Sequence, residues 1–158
     1  MKIFELFDRV IDYKWLAKDA DAWVGEFEVQ SKLGPLTYRV DIESGDEDGE
    51  WVFAFALDYE STRRIEADSG VSLSNSGGEF AVHSTILRML ADFIKRESPN
   101  IIQFTADGDN RFKLYSTMFN KLHKLIPEYK FQVRHSTRHT DGYMYSLELK
   151  KESPNKKL

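Results

Sequence analysis

The sequence predicts an α+β fold on a mostly antiparallel sheet, and three observations predict it. Residues 23–59 hold three runs of period-two alternation joined by short turns; two stretches, 79–97 and 110–126, carry apolar stripes at helical spacing; and residues 129–149 return to alternation. A chain of 158 residues suits one core, so 1–150 is expected to form a single domain, with the charged stretch 151–158 as a disordered tail.

Residues 1–20 fit two patterns at once. Phe4, Phe7, Val10, Ile11 and Lys14 approximate helical spacing, while Lys2–Phe7 alternate like a short strand. From Trp23 the pattern is clear. Trp23, Gly25, Phe27 and Val29 share one face of a strand, and a turn at Leu33-Gly34-Pro35 leads to Leu36, Tyr38, Val40 and Ile42 on the next. The acidic turn Ser44–Gly49 then opens the run Trp51–Tyr59. Trp51, Phe53, Phe55 and Leu57 lie on one of its faces and Val52, Ala54 and Ala56 on the other, which predicts an inner strand covered on both sides. Residues 60–78 are polar and rich in glycine and serine, and read as a loop with at most one short strand near Val71 and Leu73.

A helix is expected from Glu79, with Val82, Ile86, Leu90, Phe93 and Ile94 as its stripe. Pro99 stops it by pushing Ser98 out of the helical region. Ile101, Ile102 and Phe104 mark a short buried strand at 101–105, expected to pair in parallel beside the strand at 51–59. The second helix has Phe112, Tyr115, Phe119, Leu122 and Ile126 as its stripe and ends at Pro127; two strands joined at Thr140-Asp141-Gly142 follow. The order is βββ–α–β–α–ββ. The expected core is Phe27, Val40, Phe53, Phe55, Ile86, Leu90, Phe93, Ile102, Phe104, Tyr115, Phe119 and Phe131.

Composition narrows the chemistry. The absence of cysteine removes disulfides, thiolate metal sites and cysteine nucleophiles. No apolar run reaches transmembrane length, and the acids among the first residues argue against a signal peptide, so a cytoplasmic protein without membrane contact is expected. The net charge of −4 hides a gradient: residues 1–60 hold 6 basic against 15 acidic side chains, and residues 110–158 hold 11 against 4. Such a chain can present one acidic and one basic face to partners.

Most motifs lead nowhere catalytic. His135 and His139, four apart on a strand, stand about 13 Å from each other and lack a third ligand. Asp46, Asp48 and Glu50 imitate part of a calcium loop without its twelve-residue spacing, so no metal site is expected. No phosphate-binding loop or nucleotide fingerprint is present. Arg111, Lys113, Lys121, Lys124, Lys130, Arg134 and Arg138 make the C-terminal part basic enough for a weak nucleic-acid surface.

The order of elements resembles the GNAT superfamily of N-acetyltransferases, in which a meander leads through a glycine-containing loop into a helix and then to strand, helix, strand, strand. The wording of Ile101–Asp107, Arg111–Tyr115 and Val82–Ile86, with Trp23–Phe27 and Tyr38–Val40, resembles small acetyltransferase-like proteins of tailed bacteriophages. The resemblance implies a GNAT-like fold and points to two places. The loop Ser76-Gly77-Gly78-Glu79 stands where the superfamily holds the pyrophosphate of acetyl-CoA on the N–H groups of a helix start. Its glycines are adjacent where the pattern separates them, no Arg or Gln stands at the proper distance, and Glu79 brings a carboxylate that suits a helix start better than a phosphate. Tyr115 stands where the superfamily often keeps a general acid for the leaving thiolate, and it also belongs to the apolar stripe.

The expectation is a phage-type accessory protein, in the host cytoplasm or the virion. Its degenerate, non-catalytic acetyltransferase-like domain is a binding module without a cofactor, monomeric or weakly dimeric, for a host or phage protein. The alternatives are an acetyl-CoA-dependent N-acetyltransferase, with Tyr115 as acid and Ser76–Glu79 on the pyrophosphate, and a weak nucleic-acid binder using the C-terminal basic surface.

Overall fold

The computed structural model describes residues 10–67, 79–106, 109–139 and 142–151. It is an α+β fold with the predicted element order, extended by one strand and one helix. The strands are β1 (Tyr13–Lys18), β2 (Ala22–Ser31), β3 (Gly34–Ser44), β4 (Glu50–Leu57), β5 (Ile101–Ala106), β6 (Tyr129–His139) and β7 (Gly142–Lys151). The helices are α1 (Tyr59–Ala67), α2 (Glu79–Glu97) and α3 (Asp109–Leu125). One seven-stranded sheet runs in the order β1-β2-β3-β4-β5-β7-β6. As expected, β5 pairs in parallel with β4, while β7 is antiparallel to both its neighbours. The described residues group into two compact units, one of those up to Asp41 with Phe55–Met89, the other of Ile42–Ala54 with those from Leu90 onward.

In the first unit, β1 pairs antiparallel with β2, placing Tyr13 opposite Phe27 and Trp15 opposite Gly25. The joining turn is closed by Asp19, whose carboxylate accepts the N–H groups of Asp21 and Ala22 at 3.0 and 2.8 Å. Trp23, Gly25 and Phe27 alternate on the buried face, as their spacing predicts. Trp15 meets Trp23 edge-on at 5.0 Å, and Phe27 stacks on Tyr38 at 5.3 Å. Gly25 is required there, because a side-chain carbon would run into Trp15 and Met89. Helix α2 is tied to the start of β1 by Thr85. Its buried hydroxyl donates to the Ala81 carbonyl at 2.6 Å and accepts the Ile11 N–H at 2.8 Å.

In the second unit, Trp51 of β4 meets Phe93 of α2 edge-on at 4.9 Å, and Phe104 of β5 meets Phe119 of α3 at the same separation. Phe93, Leu90, Ile94, Ile102, Phe104, Leu122, Ile126 and Leu147 are at most 1% exposed. Burying one such side chain is worth about 1.5–3 kcal/mol. Ser98, just past α2, has φ 49°, outside the right-handed helical region as the following proline predicts. The Gly49 carbonyl then accepts the N–H groups of Asn100 and Ile101 at 2.8 and 3.1 Å, which places the start of β5 beside the start of β4.

Several expectations need correction. Residues 59–67 form α1 and not a loop: Asp58 caps the helix, and α1 lacked an apolar stripe to announce it. The remainder, 68–78, lies outside the described residues. β4 is an inner strand but is not covered on both sides, since Val52 is 40% exposed and Ala54 and Ala56 are exposed. Phe55 and Phe131 are half-buried rather than core, and the side chain of Tyr115 lies outside the described part. The strand read at 23–30 starts at Ala22, and β7 continues through Lys151, the first residue assigned to the tail; residues 152–158 lie outside the described residues.

Candidate functional site

β4 and β5 pair in parallel within the second unit. Their ladder joins Glu50 to Ile101, Trp51 to Ile102 and Val52 to Gln103. β5 continues through Phe104, Thr105 and Ala106 against β7. In open α/β sheets ligands are received at the carboxyl ends of the parallel strands, and within the second unit that end of β5 is the one to consider. From its carboxyl end β5 leads within three residues into α3, so a helix N-terminus follows the strand directly.

Each of the three described helices has an acidic residue at or just before its first position. Asp58 precedes α1, Glu79 is the first residue of α2, and Asp109 is the first of α3. At α1 the contact is explicit: the Ser61 N–H donates to the Asp58 carboxylate at 2.8 Å. That bond, then the Ser61 hydroxyl, and to a smaller degree the Arg64 charge, hold the Asp58 carboxyl below its ordinary value against the opposing effect of burial. The Ser61 hydroxyl also accepts the Thr37 N–H at 2.8 Å, and the Asp58 N–H donates to the Thr37 carbonyl at 2.8 Å. Arg64 completes the attachment by donating to the Pro35 carbonyl at 2.6 Å. α1 is thereby fastened to β3, and its own acid occupies its positive end. Asp58 escaped the sequence reading, although Asp58-Tyr59-Glu60-Ser61 carries the signal of an N-cap.

The expected site residues are placed as follows. Glu79 opens α2, while Ser76, Gly77 and Gly78 lie outside the described residues. Tyr115 belongs to α3 by its backbone. At α1, whose start is taken by the Asp58 carboxylate, a pyrophosphate-bearing group such as that of acetyl-CoA does not fit. A carboxylate at the positive end of a helix is stabilised by the N–H groups and dipole that a phosphate would use, and it repels that phosphate. Among the described residues no buried side-chain nitrogen or oxygen lacks a hydrogen-bond partner that a ligand would supply.

Two further features were not legible from spacing. A shallow cleft of about 280 Å³ in the first unit is lined by Asp12, Tyr13, Lys14, Glu26, Phe27, Glu28 and Thr37. Lys14 and Glu26 face each other there at 3.2 Å, brought together by the β1–β2 register. On α3, burial and then the neighbouring Lys124 push the Lys121 amine below its ordinary value. His135 and His139 both fall on β6, with a register shift between His135 and Arg138.

No family model matches the chain, and no curated protein matches it. Among solved structures, it is similar to a point mutant of spermidine N-acetyltransferase from Vibrio cholerae, with a TM-score of 0.44 and 10% identity. The match covers 82% of this chain and 65% of that one, so this chain spans just under two thirds of that enzyme's length. Among the described residues, no helix is long and apolar enough to cross a membrane.

Proposed function

We propose that this chain is a degenerate acetyltransferase-like domain of the phage accessory kind, which binds a protein partner and does not use acetyl-CoA. The observation that most supports this reading is the acid at every described helix start: Asp58, Glu79 and Asp109. An enzyme that holds a pyrophosphate on a helix N-terminus needs that end free of its own negative charge. At α1 the chain supplies the anion itself, through Asp58. The adjacent glycines Gly77 and Gly78, in place of the spaced pair of the superfamily, point the same way. The phage part of the reading rests on the wording of Ile101–Asp107 and Arg111–Tyr115.

Thermal unfolding in the presence of acetyl-CoA tests the proposal. A ligand that binds only the folded state stabilises it by about 2.7 kcal/mol when present at a hundred times its dissociation constant. The expected result with millimolar acetyl-CoA is an unchanged melting temperature, and no acetyl transfer to primary amines. A rise of several degrees, accompanied by turnover that Tyr115→Phe abolishes, assigns the chain to the N-acetyltransferases instead.

A further inference from the structure

We propose that the outward face of β1, β2 and β3 in the first unit docks a basic segment of a protein partner, with one arginine seated in the cleft lined by Asp12, Glu28 and Thr37. The proposal rests on the reading of the domain as a binding module and names the chemistry of the partner. Tyr13 stands opposite Phe27 and Lys14 opposite Glu26. One residue further, the same register brings Asp12 level with Glu28, on the face that carries Lys14 and Glu26. The other face belongs to the core of this unit. Gly25 and Phe27 are buried there, Met89 of α2 closes over Gly25, and Tyr38 of β3 stacks on Phe27. Asp12, Lys14, Glu28 and Arg39 are exposed on the outward side.

Charge selects the occupant. The two cations of this face are engaged within the chain: Lys14 meets Glu26 and Arg39 meets Asp41, each at 3.2 Å. Among the described residues no cation meets Asp12 or Glu28, and the Gln30 amide that donates to the Glu28 carboxylate at 3.2 Å is neutral. The cleft thus holds the carboxylates of Asp12, Glu26 and Glu28 against the ammonium of Lys14 alone. The surrounding chain acts in the same sense, since residues 1–60 hold 6 basic against 15 acidic side chains. Long-range attraction of this kind speeds the encounter with a basic partner.

Size and shape narrow the occupant further. At about 280 Å³ the cleft falls short of the volume, from about 300 Å³, at which small-molecule pockets begin, and it suits the end of one long side chain. A guanidinium presents a planar fork of N–H donors that can serve two carboxylates and the Thr37 hydroxyl together, whereas an ammonium is a point charge. The same acids repel a phosphate or a nucleic acid.

The test uses the full chain and a short labelled peptide with one central arginine among glycine, serine and threonine, followed by amide chemical shifts. Expected are saturable shifts around Asp12, Glu28 and Thr37 that the neutral citrulline analogue does not produce. Asp12→Asn is expected to weaken binding about tenfold with an unchanged melting temperature, as loss of a charged hydrogen-bond partner does. The proposal is overturned if the citrulline or lysine analogue binds equally well. It is also overturned if the acidic turn Asp46-Glu47-Asp48, which lies outside the cleft, shifts as strongly, since diffuse attraction would then explain the effect. A single-stranded oligonucleotide that shifts the same amides more strongly, or a dimer of the free chain that Asp12→Asn abolishes, assigns the face to another occupant and overturns it as well. Acetyl-CoA binding by a chain whose cleft still takes the arginine peptide would remove the functional reading above and leave this one standing.

Discussion

Asp58 is the residue on which local chemistry is most readable. Its carboxylate satisfies one of the orphan N–H groups of α1, so Asp58→Ala is expected to cost about 1 kcal/mol in urea unfolding. The folded-state carboxyl is held below its ordinary value. Its contribution is therefore complete above the unfolded value, about 3.9, and is lost as pH falls from there through the folded value. Asp58→Asn keeps a capping oxygen but removes the titration, and should flatten the acid limb of stability below about pH 4. A mutant with the wild-type acid limb contradicts the assignment. Glycine positions offer a second check. At Gly25 an added carbon would stand 2.9 Å from the Trp15 ring and against Met89, so Gly25→Ala should lower stability by about 1–3 kcal/mol through overpacking. At Gly49, with φ 78°, Gly49→Ala should cost about 1–2 kcal/mol for the left-handed backbone, and contact with Asn100 adds to it.

At the scale of elements, Thr85 links a helix to a strand that the sequence hid. Thr85→Val keeps the volume but removes the acceptor of the Ile11 N–H, at an expected cost of about 1–3 kcal/mol. Amide exchange across Ile11–Lys18 should accelerate in that mutant while exchange in β6 and β7 stays unchanged; a uniform acceleration would show that Thr85 acts on the whole fold. The strands from β2 to β4 were legible because Trp23, Gly25, Phe27, Leu36, Val40, Ile42, Trp51 and Phe53 are buried on alternating positions, with Val29 and Tyr38 half-buried on the same faces. In β1 the half-buried Tyr13, Trp15 and Ala17 alternate too, but Leu16, 52% exposed, breaks the polar side of the pattern. Helix α1 was illegible for a different reason: Ile65 is its one large aliphatic residue, and capping with attachment to β3 hold it in place. The bounds of α2 were legible because Pro99 sets its end and the stripe from Val82 to Ile94 its face.

At the scale of the whole molecule, charge is the property the sequence shows most plainly. Both sheet edges are basic although the chain is acidic in sum. Sedimentation velocity is expected to give a monomer at low salt, because edge-to-edge association is repulsive when unscreened. A dimer at low salt would mean that another surface associates. The candidate site was legible only in part: the loop and Tyr115 came from resemblance and Glu79 already read as an acid at a helix start, whereas Asp58 and Asp109 became meaningful once α1 and α3 were placed. Asp109 looks like a loop residue until α3 is seen to begin on it.

The central proposal, that this chain has no working acetyl-CoA site, is tested most directly by calorimetric titration of the full chain with acetyl-CoA. The account predicts no saturable heat up to millimolar ligand, and none for coenzyme A. A dissociation constant in the low micromolar range, lost in Gly77→Val and Gly78→Val chains that still fold, would contradict it.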